Sequence, residues 1–346
     1  MRNPYTLLFG REPEQYIQRH AETEEIIKNF TYDNPTEQVY MITGVRGSGK
    51  TVFMTEISNR LKKEDDWIVI ELSTESDILQ DLASLLASEN SRAELFRKAK
   101  INLSFWGFGL EVAQTAPITN LQLAITKMLE ALKKDRKKVL ITIDEVISNK
   151  SMREFASAFQ IFVRQELPVC LLMTGLYKNI DELQNEKNLT FLYRAPKIYL
   201  TPLNCKDIAD NYRKNLKINE NDAKEMSSLT KGYSFAFQVL GHFAWEQNGD
   251  FRQVIEKYKR YVSEYSYDKI WAELSARDRE IMYGIAKTPS GKIVEIRNYL
   301  GISTNEFNPY RKRLIRKGLI NGEQYGYVKL VLPFFDEYIF ENWEPD

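Results

Sequence analysis

Gly44-Val45-Arg46-Gly47-Ser48-Gly49-Lys50-Thr51 follows the apolar run Val39-Tyr40-Met41-Ile42 and leads directly into Val52-Phe53-Met54. The spacing is that of a phosphate-binding loop. Its glycines let backbone N–H groups turn inward around phosphates, its lysine reaches the β and γ phosphates, and its terminal hydroxyl takes a place on Mg²⁺. The helix that follows adds its positive end. A match to this pattern arises by chance in about one chain in a hundred of this length. The strand before it and the amphipathic segment 52–61 after it argue against a Gly-rich surface turn. Gly44, Val45, Arg46, Gly47, Ser48, Gly49, Lys50, Thr51 and Val52 are therefore the candidate nucleotide contacts, with Lys50 also a catalytic candidate and Thr51 a metal ligand. The cofactors this predicts are ATP and Mg²⁺.

Downstream, residues 121–134 place Leu121, Ala124, Ile125, Met128, Leu129 and Leu132 at helical spacing. They lead to Val139-Leu140-Ile141-Thr142-Ile143, an apolar strand that ends in Asp144-Glu145. Such a strand delivers Asp144 to the waters around Mg²⁺, and Glu145 falls where a carboxylate orients and deprotonates an attacking water. Acidic strand ends are common alone; after a P-loop the pair is a strong signal. A further apolar strand, 168–175, ends at Thr174. That hydroxyl is either a contact to the γ-phosphate or attacking water, or a satisfied strand-end group. Residues 197–200 read as a fifth strand. Ahead of the first strand, residues 15–30 have a helical pattern, and Arg19 there is either a base or ribose contact or a solvated helix start.

The chain has 346 residues, so two or three domains are expected, and 43% hydrophobic residues are enough to pack them. Lys plus Arg and Asp plus Glu both number 48, which excludes a globally basic nucleic-acid coat but not a local basic patch. Cys170 and Cys205 have neither zinc spacing nor a disulfide framework and read as reduced packing residues. The first ten residues lack a secretory pattern, and no window approaches the roughly 18 apolar residues of a spanning helix. A cytoplasmic protein is expected.

Residues 67–72 read as a buried strand and 73–88 as a helix. Residues 101–112 alternate and then break at Gly107 and Gly109, which predicts an inserted β-ribbon. Its Phe105, Trp106 and Phe108 are either a contact surface or a face folded on the main sheet. Residues 1–203 form the ATPase domain on this reading, 204–267 a helical lid, and 268–346 a winged helix-turn-helix with helices at 276–287, 293–300 and 304–317 and strands at 318–323 and 327–332. The third helix buries Phe307, Leu314 and Tyr310. It exposes Asn305, Asn308, Arg311, Lys312, Arg313 and Arg316, all but Arg313 being named as candidate DNA contacts.

This order of pieces resembles the AAA+ P-loop ATPases of the archaeal replication-initiator and archaeal-ATPase type. The residues that carry the resemblance are Asn3-Pro4-Tyr5 with Phe9-Gly10, the P-loop, Ile143-Asp144-Glu145, Leu167-Pro168-Val169, residues 189–195 and Gly232-Tyr233-Ser234-Phe235 to Gly241. The resemblance implies an α/β fold with a parallel five-stranded sheet between helices, in the strand order 5-1-4-3-2. It also implies that Thr174 is the sensor-1 position, that Arg194 acts in trans on a neighbour's site in a homo-oligomer, and that Gly232 lies at the nucleotide. The chain departs from the pattern at Lys231-Gly232-Tyr233-Ser234, where relatives often carry Gly-Gly-Tyr-Pro, and in having no arginine in 235–245.

Two functions follow as expectations. One is a Mg-dependent ATP-hydrolysing switch associated with duplex DNA through its winged helix. The other is a nucleotide-gated signalling or defence ATPase whose winged helix and aromatic ribbon bind protein partners. An inert nucleotide-binding scaffold has no need of Glu145. No guanine-reading N/T-K-x-D signature stands at a strand end, which points to ATP.

Overall fold

In the computed structural model, residues 2–8, 13–33, 35–186 and 189–343 are described. Phe9 and Gly10 of the N-terminal motif, and Glu344 and Asp346 of the acidic C-terminus, lie outside them. The chain forms two compact units, each assembled from separated segments.

One unit comprises His20–Thr43 and Phe53–Ile198. Its sheet contains β1 (Val39–Thr43), β2 (Trp67–Leu72), β3 (Lys138–Ile143), β4 (Val169–Gly175) and β5 (Lys197–Tyr199), in the order β2-β3-β4-β1-β5. This is the expected 5-1-4-3-2 order. β1 and β4 are buried along their whole length, as strands covered on both faces by helices must be, which is why both read as unbroken apolar runs. The parallel register sets Thr43 beside Gly175 and Ile143 beside Met173, so β1, β3 and β4 end at one edge of the sheet.

Side-chain caps set the helix starts. Asn120 accepts from Leu123 N–H at 2.8 Å and Asn149 from Met152 N–H at 2.8 Å, opening Leu121–Lys134 and Lys150–Arg164. Asp77 caps Ile78–Ala87, so the helix read from residue 73 begins five residues later than expected. Phe155, Phe159 and Phe162 with Met128 and Leu129 fill this unit's core. Burial pushes the Cys170 thiol up to about 12, as suits a packing residue.

The ribbon expected at 101–112 is not there. Leu103 N–H donates to Leu110 O at 2.8 Å, but the residues between form a single 3-10 turn, Ser104–Trp106, closed by left-handed Gly107. Buried Asn102 donates to Val112 O and Thr115 O and so takes carbonyls that strand pairing would have used. Trp106 is tied to Ile118 O, and Phe105 is exposed.

The other unit comprises Met1–Arg19, Gly44–Val52 and Tyr199–Asp346. Tyr5 is the anchor of its N-terminal segment. Its ring packs on Tyr212 and Phe237, and a Cβ on Gly241 would lie 2.6 Å from it, so glycine is required there. Helices Cys205–Leu216, Glu220–Thr230 and Ser234–Glu246 follow, and Cys205 is exposed at its helix start instead of packed. Ile255–Val262 runs through a π-type turn, Ser263–Tyr267, into Asp268–Ala272. The C-terminal module has helices Ala276–Ala286, Ile293–Leu300 and Thr304–Arg316 and an antiparallel pair, β6 (Ile320–Asn321) and β7 (Lys329–Leu330). These strands are shorter than expected, since the Asn321 side chain turns the backbone at Glu323. A last helix, Phe335–Asn342, was not foreseen; it buries Phe335, Tyr338 and Ile339 at helical spacing. Among the described residues no helix is long and apolar enough to cross a membrane.

Candidate functional site

The P-loop runs from the end of β1 into the helix Lys50–Leu61, with Gly47 and Gly49 at φ of 75° and 90°. Lys50 Nζ donates to the carbonyls of Gly44 and Val45, each at 3.1 Å, and Ser48 N–H closes a turn on Val45 O at 3.1 Å. The Ser48 hydroxyl is buried without a hydrogen-bond partner, an arrangement that a bound polar ligand would satisfy.

The start of the helix Ser234–Glu246 grips the loop from its carbonyl side. Tyr233 hydroxyl donates to Arg46 O at 2.6 Å, Phe235 N–H to Gly47 O at 3.1 Å, and Ser234 hydroxyl to Ser48 O at 2.9 Å. Since a trans peptide sets its N–H opposite its C=O, these bonds direct the N–H groups of Gly47 and Gly49 away from that helix. The approach is close: a Cβ on Gly47 would lie 2.3 Å from the Tyr233 oxygen. Tyr233 also shares a hydrogen bond of 2.6 Å with Ser266 in the π-type turn, and burial pushes its phenol far above the usual range. Arg46 is paired with Glu273 at 3.3 Å. These lid contacts escaped the sequence reading; the tyrosine after Gly232 was visible there, but its hydroxyl's target was not.

A cavity of about 510 Å³ opens beside Gly44, Val45 and Ser48. Arg19 and Gly232 line it, and Arg19 donates to Thr201 O at 2.7 Å. Ile315, Arg316, Gly318 and residues 320–323 of the C-terminal module line it too, which no sequence signal indicated.

In the sheet unit, Asp144 is half-buried and Glu145 exposed just past β3. Buried Thr174 at the end of β4 donates to Asp144 Oδ1, and Glu145 N–H donates to both Asp144 Oδ1 at 3.0 Å and Thr174 Oγ1 at 3.3 Å. As placed, Thr174 is a satisfied hydroxyl that holds the two acids in position. Glu145 carries a left-handed backbone, φ 50°, uncommon for a residue with a side chain and a mark of functional sites. Arg194 is exposed at the end of the short helix Thr190–Arg194. Among the described residues no group of three or more His, Cys, Asp or Glu could hold a metal alone.

The candidate DNA residues do not share one free face. Asn305, Asn308 and Lys312 are exposed. Arg311 is half-buried and donates to Gly322 O at 3.0 Å, while Arg316 is exposed and lines the cavity. Arg313, read as exposed, pairs with buried Asp278 at 2.6 Å.

Among solved structures, a Walker-type ATPase of Pyrococcus abyssi aligns at TM-score 0.67 and 17% identity, covering 97% of this chain and 99% of that one. The ORC2 protein of Aeropyrum pernix, in ADPNP–ADP complexes, aligns at TM-score 0.62 and 15% identity, covering 96% of this chain and 95% of that one. At such identities the likeness is one of fold. No curated protein matches. A domain of unknown function matches residues 264–339. A family described as an ATPase domain predominantly from Archaea matches residues 16–232, well over half the length, and the chain belongs to that family.

Proposed function

We propose that the protein is a Mg-dependent ATP-binding and ATP-hydrolysing switch. The observation that carries the reading is the P-loop, whose outward carbonyls are held by the lid and whose Gly47 and Gly49 N–H groups are left for phosphate. In this reading Lys50 leaves the Gly44 and Val45 carbonyls for the β and γ phosphates, and Thr51 and Asp144 hold the metal, Asp144 through water. Mg²⁺ supplies neutralisation of charge on the transferred phosphoryl group. Glu145 orients and deprotonates water, with its backbone fixed by Asp144 and Thr174. Arg194 serves a neighbouring copy in a homo-oligomer, and its exposure supports that role.

The functional division is an ATPase part, 1–203, a lid, 204–267, and a winged-helix module, 268–346, in a cytoplasmic protein. Its partner through the module is duplex DNA on the first reading, which Asn305, Asn308 and Lys312 support. A specific observation favours the second, a nucleotide-gated signalling or defence ATPase with a protein effector. Arg311 and Arg313 are held by Gly322 O and Asp278, so two of the four basic side chains of this helix are engaged within the module.

ATP turnover with and without duplex DNA, at low and moderate salt, tests both. Lys50→Ala is expected to abolish binding, and Glu145→Gln to keep binding while lowering kcat by about 10²- to 10⁴-fold. Stimulation by DNA that fades with salt supports the first reading. DNA-indifferent turnover with a nucleotide-dependent change in molecular mass supports the second. Full turnover in Glu145→Gln sinks the assigned base.

A further inference from the structure

Part of the cavity wall belongs to the C-terminal module. Ile320 and Val331 line the space, as do Val45 and Leu200, and give it an apolar share. Exposed Glu323, in the turn that follows β6, lines it too. Asn321 holds this residue twice: its Oδ1 accepts from Glu323 N–H at 2.8 Å, and its Nδ2 donates to the carboxylate at 3.2 Å. Arg311 fixes the same turn from below through Gly322 O at 3.0 Å. The result is an acid with a set position and accepting capacity to spare. An ionised carboxylate only accepts hydrogen bonds, so it selects for donors. A nucleoside offers two sets on its own edge, the ribose hydroxyls and an exocyclic amine on the base.

We propose that the turn Asn321–Glu323 is the nucleoside-recognition wall of the nucleotide site, with Glu323 as the specificity-determining residue and Asn321 as the residue that positions it. The inference deepens the nucleotide reading above and rests on it. Its consequence is direct communication. A nucleotide in the cavity holds the turn in place, and any partner that draws the turn away must weaken nucleotide binding by the factor by which nucleotide weakens that partner.

The test is equilibrium binding of a non-hydrolysable ATP analogue, its 2′-deoxy form and its form lacking the 6-amino group to the full chain, by titration calorimetry. Glu323→Gln, Asn321→Ala and Lys50→Ala are compared with wild type, and unfolding midpoints are recorded alongside. Glu323→Gln is expected to weaken the ATP analogue roughly fivefold, as loss of a charge-assisted bond at a partly solvated rim should. Asn321→Ala is expected to lose part of that with an unchanged midpoint. If the ribose is the donor, the preference over the 2′-deoxy form disappears in Glu323→Gln; if the base amine is, the preference over the des-amino form disappears. Wild-type affinities for all three ligands in Glu323→Gln, with binding lost in Lys50→Ala, overturn the wall and leave the nucleotide reading standing. No binding by wild type overturns both.

Discussion

Tyr233 braces the P-loop from its carbonyl side. Residues 235–245 contain no arginine to touch a phosphate, yet the residue that opens this helix reaches the P-loop backbone itself. A buried phenol that donates to Arg46 O and shares a bond with Ser266 cannot lose its oxygen cheaply. Tyr233→Phe leaves a buried carbonyl unsatisfied and should cost about 1–3 kcal/mol of stability. Because the loop is held before nucleotide arrives, the KM for ATP is expected to rise roughly fivefold while kcat stays within about twofold, the pattern of lost uniform binding. Steady-state kinetics and urea unfolding check both. An equal fall in kcat would place the hydroxyl's effect in the transition state instead.

The helix Thr304–Arg316 shows how an element's face can be misread. Two of its exposed-looking arginines are engaged: Arg311 donates to Gly322 O, and Arg313 approaches Asp278, which is 2% exposed, also meets Lys317 and completes the capping box with Ser275. Removing a buried carboxylate strands its cations, though Arg313 keeps some water. Asp278→Ala is therefore expected to destabilise the C-terminal module by roughly 2–3 kcal/mol. Urea unfolding read by the fluorescence of Trp271 checks this, and a change under about 0.5 kcal/mol would demote the cluster to a surface contact. Parallel strands, by contrast, were legible because both faces are buried and nearly every position is apolar, as in 139–143, where Thr142 is the exception, and 169–173. The P-loop and Asp144-Glu145 were legible because their chemistry demands fixed residue types at fixed spacing. The 101–112 segment misled because alternation is a strand's signature only when the backbone is free to pair, and Asn102 takes its carbonyls. The cavity wall was hidden because it joins residues over a hundred positions apart in sequence.

Two hydrophobic cores, one per unit, give the molecule two places to fail. Tyr5→Ala should cost about 3–5 kcal/mol in one, where the ring fills the space over Gly241, and Phe159→Ala a similar amount in the other. Hydrogen exchange should then show lost protection in 205–216 and 234–246 for the first and in 139–143 and 169–175 for the second. Uniform loss in both variants would mean that the two cores unfold as one. The chain passes between units after Arg19, Thr43, Val52 and Ile198, so the P-loop is completed by residues made much later. Its bond from Tyr233 to Arg46 spans 187 positions. On a ribosome, where domains fold as their residues emerge, the sheet unit has all its strands before the helix Ser234–Glu246 exists. The phosphate-binding loop of a nascent chain therefore waits, unbraced, for residues 233–235. A translation product that stops short of them lacks the grip on its loop.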